Sequence, residues 1–140
     1  MKEIDKRQTV KNVKEVLKMF PQCAVLSGAL KGYRQQGHMT LDEESYKIVL
    51  EDYELGARER FRDRYDVVVA IVKSLNAISS PKARLVMIEK YYPTKIYQSD
   101  GERMEKLGMK KTTFQKYKQV GSLDFARTFE LADLMAYRKG

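Results

Sequence analysis

Cysteine and histidine each occur once, as Cys23 and His38, and tryptophan is absent. A single thiol cannot form an intramolecular disulfide, and one Cys with one His cannot supply a Cys/His zinc site within the chain. The same scarcity denies a catalytic triad, and no acid pair falls on a pocket-forming pattern. The sequence therefore nominates no catalytic residue, no metal ligand and no cofactor, and the expectation is a protein that is not an enzyme. Cys23, in the apolar run Cys23-Ala24-Val25-Leu26, reads as a small core residue. His38 falls in the polar stretch Arg34 to Thr40, which reads as a surface loop.

Breakers are also few, with 3 Pro and 8 Gly in 140 residues, while 43% of residues are apolar, which excludes a disordered tail. Long apolar runs are missing. The longest, Val67 to Val72, is far short of a membrane span, and no apolar leader opens the sequence, so the expected location is the cytoplasm, away from any membrane. Gly28 and Gly32 do not form a phosphate cradle, because Gly32 is followed by Tyr33 and Arg34 instead of Lys and Ser or Thr.

The most telling absence is local. From Leu107 to Val120 there is no carboxylate, yet Lys110, Lys111, Lys116 and Lys118 are present with Thr112, Thr113, Gln115 and Gln119 between them. Lysines neutralise phosphates and release counterions, while Gln and Thr can hydrogen-bond base edges in a groove that admits a helix. The blander reading is a solvated basic face on an ordinary bundle helix. The net charge of +8 favours an acidic partner and is unevenly placed. Residues 80–140 carry 13 Lys plus Arg against 7 Asp plus Glu, whereas residues 1–79 carry 14 against 12.

Periodicity predicts an all-α fold, with no strand pairs and no internal repeat. A first helix spans Asp5 to Phe20, with Val10, Val13, Val16, Leu17 and Phe20 on one stripe, and is closed by Pro21. Residues 22–40 allow a short helix followed by a loop around Gly32 to Met39. Thr40 and Glu43 have capping-box spacing, which predicts a helix with Tyr46, Val49, Leu50 and Tyr53 inward and Asp42, Glu43 and Glu44 at its N-terminus. A long helix follows from Arg58 to Ile78. Ser79-Ser80-Pro81 marks a boundary, with Ser80 as N-cap of a helix that stops before Pro93. In the linker after it, Ile96 and Tyr97 are expected to pack back on the bundle.

Ser99 or Asp100 gives a helix-start signal, with Glu102 at capping-box spacing from Ser99, Met104 and Leu107 are apolar, and Gly108 stands where a helix end needs positive φ. A second helix then carries Phe114 and Tyr117 inward and extends through Val120, Phe125, Phe129, Leu131, Leu134 and Met135 to Tyr137, with a bend allowed at Gly121 and Ser122. Two helices about a glycine turn make a helix-turn-helix candidate. The division is an N-terminal helical region over 1–79, for interaction or oligomerisation, and a DNA-binding domain over 80–140.

Leu107-Gly108-Met109-Lys110-Lys111-Thr112-Thr113-Phe114, with Lys118, Leu123, Phe125 and Ala126, resembles the C-terminal block of the ArpU and RinA type regulators of phages of Gram-positive bacteria. The helix from Pro81 with Tyr91-Tyr92 is similar to that family's relative of region 4 of bacterial sigma factors. The similarity covers about sixty residues by this motif comparison. Lys110 stands where a small N-cap such as Ser is usual, and Gly121 where Ala is common. The resemblance implies a helical N-terminal bundle followed by a sigma region 4-like helix-turn-helix. It also implies a transcription regulator of phage late genes, for packaging or lysis, acting in the bacterial host cell. Carried over, Lys111, Thr112, Gln115, Lys116 and Gln119 would face the major groove of double-stranded DNA, with Lys110 and Lys118 on phosphates. Host RNA polymerase or a second copy of the chain is the expected partner of the N-terminal helices. The alternative is a DNA-recognising structural component of a phage packaging machine, similar to a small terminase.

Overall fold

Asp5 opens the first helix in the computed structural model, which describes residues 3–30, 38–51 and 62–139. Its carboxylate accepts from the backbone N–H of Gln8 at 3.0 Å, which supplies a partner to one of the donors that a helix start leaves unpaired. This helix, α1 (Lys6–Leu17), buries Val13, Val16 and Leu17 and ends earlier than the apolar stripe predicts. Pro21 does not close it. It lies instead in the first turn of α2 (Phe20–Leu26), where a missing N–H costs nothing.

The predicted helix from Thr40 is replaced by a hairpin of β1 (Met39–Asp42) and β2 (Lys47–Leu50), antiparallel, with Met39 opposite Leu50 and Leu41 opposite Ile48. Met39 and Ile48 are buried, and Leu41 and Leu50 pack against the same core, so the operative period is two residues. Asp42 turns the chain. Its carboxylate accepts from Glu44 N at 3.1 Å and Ser45 Oγ at 2.8 Å, so the residue read as helix-start chemistry supports a turn. Long-range bonds fix the hairpin in place. The Asn76 amide donates to the Ile48 carbonyl and accepts from its N–H, both at 2.8 Å, and Arg84 donates to the carbonyls of Ser45, Tyr46 and Ile78.

The described residues are otherwise mostly helical: α3 (Arg62–Asn76), α4 (Pro81–Tyr91), α5 (Asp100–Leu107) and α6 (Lys111–Thr128). Positions 58–61 and Tyr53 of the predicted helices, and most of the predicted loop, lie outside the described residues. The Val67 to Val72 run is helical, and the Ser80 hydroxyl caps α4 by accepting from Ala83 N at 3.2 Å. Ile96 and Tyr97 do not pack back on the bundle. Backbone bonds tighten residues 92–98 into a turn that leaves Tyr97 89% exposed.

The core is shared by both halves of the chain. α6 packs on α4, α1 and α3, and α2 and β2 lie on α3. Val13, Leu17, Phe20, Ile71, Met87 and Phe125 belong to the same buried cluster. Helix α6 runs unbroken through Gly121, where a Cβ would collide with Met87 Cγ and stand 3.2 Å from the Ala83 carbonyl oxygen. Glycine suits the close approach of two helices there, since any larger residue would have to displace the Met87 side chain. The helix stops at Thr128, short of the predicted Tyr137, because the tail is drawn back to the N-terminus. Asp5 N donates to Ala136 O and Arg138 N to Glu3 O, both at 2.8 Å, and Asn12 Nδ2 donates to Leu134 O at 3.1 Å. No helix among the described residues is long and apolar enough to cross a membrane.

Candidate nucleic-acid interface

The candidate surface begins with the seating of α5. Ser99 Oγ accepts from Glu102 N at 3.1 Å, starting the helix where the capping signal places it. Gly108, at φ 64° and ψ 32°, ends it, and Met109 N reaches back to Met104 O at 2.9 Å. Gly108, Met109 and Lys110 then make the turn into α6.

An ionic lattice invisible to pattern reading ties α5 to α4. Arg103 is buried, and its guanidinium donates to the carbonyls of Glu89 at 3.0 Å and Lys95 at 2.9 Å and to Asp100 Oδ1 at 2.9 Å. Planar guanidinium geometry allows one side chain to serve the end of α4, the linker and the first turn of α5 together. Glu89, equally buried, pairs with Lys95 at 3.2 Å and Lys106 at 3.1 Å, and Lys90 pairs with Asp100 at 2.9 Å. Burial tends to raise the Asp100 carboxyl, but hydrogen bonds and charge from Lys90 and Arg103 outweigh it and hold its pKa below the ordinary value.

Helix α6 presents the predicted residues as follows. Lys110, Lys111, Thr112, Gln115, Lys116 and Gln119 are exposed, Lys118 is half-buried, Phe114 is fully buried and Tyr117 is half-buried. Lys110 is the N-cap, its side chain makes no cap bond, and the first turn contains no acid. The positive end of the helix dipole is therefore left without a neutralising side chain. None of the four lysines forms an ion pair with the described residues.

The surface extends onto an element that the sequence reading did not connect with it. Arg7, Lys11 and Lys14 of α1 share an open groove of about 660 Å³ with Gln115, Lys118 and Gln119 of α6. A neighbouring hollow of about 590 Å³ shares Arg7 and Gln119 with it but is of mixed charge, lined also by Glu3, Asp5 and Lys6 and by Arg138, which pairs with Glu3 at 3.6 Å. Burial, then the charge of Lys90, and more weakly Lys14, push the Lys118 ammonium pKa below its usual value, while Asp100 opposes them. The signal was present in the sequence: Arg7, Lys11, Lys14 and Lys18 recur at i+4, i+3 and i+4, a basic stripe on one helix.

Cys23 is half-buried, and burial raises its thiol pKa with Arg64 opposing, which leaves it a poor nucleophile. His38 leads into β1 and accepts from Glu51 N through its carbonyl at 2.8 Å.

Comparisons of the chain with protein-family models, with curated proteins and with solved structures each find no match.

Proposed function

We propose that the protein is a sequence-specific DNA-binding regulator in which α5, the Gly108 turn and α6 work as a helix-turn-helix. The observation that carries this reading is the acid-free face of α6, where lysines that form no ion pair among the described residues alternate with the exposed Thr112, Gln115 and Gln119. Lysine supplies affinity through phosphates, and the amides supply discrimination through base edges. In this reading Lys111, Thr112, Gln115, Lys116 and Gln119 meet the major groove, and Lys110 and Lys118 lie on phosphates. The resemblance of residues 107–126 to the ArpU and RinA regulators makes phage late-gene transcription the corresponding role.

Selection of bound duplexes from a random pool tests it. Enrichment of one motif supports a reader of sequence. Retention without enrichment supports a DNA-holding structural component, and no retention rejects nucleic acid as the partner.

A further inference from the structure

If α6 enters a major groove, the elements beside it must lie somewhere on the duplex. A helix with its side chains is about 10–12 Å across, and the groove is about 12 Å wide, so α6 fills it. Packed helices run about 8–10 Å apart, and Arg7, Lys11 and Lys14 of α1 share a groove with Gln115 and Gln119, two of the residues read as facing the bases, so α1 stands on the DNA side of α6, beside the sugar-phosphate ridge.

The residues that α1 carries there suit that position. Arg7, Lys11 and Lys14 are all exposed, and none forms an ion pair among the described residues. From Arg7 to Lys14 the helix rises by about 10 Å, so the three long cationic side chains are spread along one stretch of backbone with neighbouring phosphates within their reach. The groove between α1 and α6 is lined by no carboxylate, and Lys118 stands in its wall. The electrostatic surroundings agree. Lys118 is half-buried, and burial with the charges of Lys90 and Lys14 disfavours its ammonium form against the opposing pull of Asp100, a position that a phosphate would relieve.

The geometry points to α1 as a second DNA-contacting element: Arg7, Lys11 and Lys14 hold neighbouring phosphates of the strand bordering the groove that α6 enters, and the α1–α6 groove seats that backbone. This rests on the reading of α6 as a DNA reader. It gives the N-terminal segment a part in DNA affinity that the sequence reading reserved for polymerase or a second copy.

The experiment compares three full-length proteins: wild type, Arg7→Gln/Lys11→Gln/Lys14→Gln, and Lys111→Gln/Lys116→Gln. Affinity is measured for the selected duplex and for random duplex across a salt series. Glutamine keeps helix propensity and side-chain length, and unchanged thermal midpoints verify the fold. The α1 triple variant is expected to reduce the salt slope by up to about 2.7, or about 0.9 per phosphate contact, to weaken both duplexes alike, and to select the same motif. An unchanged slope in the triple variant, with a reduced slope in the α6 variant, removes α1 from the DNA while leaving the α6 reading intact. A changed motif would assign α1 to bases and overturn the backbone assignment. Failure of the wild type to bind either duplex overturns both.

Discussion

Lys106 Nζ lies 3.1 Å from one carboxylate oxygen of Glu89 and 3.2 Å from the other, pairing a half-exposed base with an acid that is 1% exposed. Together with Lys95, this acid is the buried half of the joint between α4 and α5. Through it, the orientation of the Gly108 turn depends on packing far from the lysine face.

The two halves of that pair should respond unequally to mutation. Glu89→Ala strands the largely buried Lys95 and should cost on the order of 3 kcal/mol. Lys106→Ala leaves Glu89 still paired with Lys95 and should cost less than about 1 kcal/mol. Urea unfolding midpoints at constant slope measure both, and equal losses would mean that the joint is not organised around the acid.

Asp100 makes stability depend on acid. Its pKa lies below 3.8 in the fold, so the unfolded chain binds the proton more readily. The contribution is complete above the unfolded value and is lost as pH falls through the lower folded value. Asp100→Asn should therefore lower the urea midpoint near neutral pH, and the gap to wild type should close as pH falls below about 4. Asp42 is shifted the same way by the Ser45 hydroxyl and the Glu44 N–H, and its share of the acid limb should persist in the variant.

Gly121→Ala sets helix propensity against packing. Propensity alone favours alanine by about 1 kcal/mol. The new methyl would strike Met87 and crowd the Ala83 carbonyl, and overpacking of this kind costs about 1–3 kcal/mol. A net loss of thermal stability is expected. A rise in melting temperature would show that α4 and α6 can separate without penalty.

On DNA, Gln115→Ala and Lys116→Ala should part company. The glutamine change should cost about 1–3 kcal/mol at the selected duplex and little on random DNA. The lysine change should lower the salt slope by about 0.9 and affect both duplexes equally. Competition binding at two salt concentrations separates these outcomes, and identical profiles would leave Gln115 as a positioning contact.

Features settled within a few residues of one another were open to reading from sequence alone. Ser80 and Ser99 cap the helices they were expected to cap, because a hydroxyl needs only the N–H three residues on. Gly108 ends α5 because the positive φ is a property of that one backbone unit. The acid-free run from Leu107 to Val120 is likewise a property of the chain itself.

What needed a distant partner came only with the tertiary structure. Thr40, Asp42 and Glu43 suit a helix start as well as a turn, and the hairpin prevails because Asn76 and Arg84, more than thirty positions beyond Asp42, supply its hydrogen bonds. The apolar spacing after Phe125 could continue a helix, but Thr9 and Asn12 capture the tail instead. The basic stripe on α1 could have faced any direction. Its place beside α6 follows from how the core closes over Val13, Leu17 and Phe125, an outcome of long-range packing that no local pattern encodes.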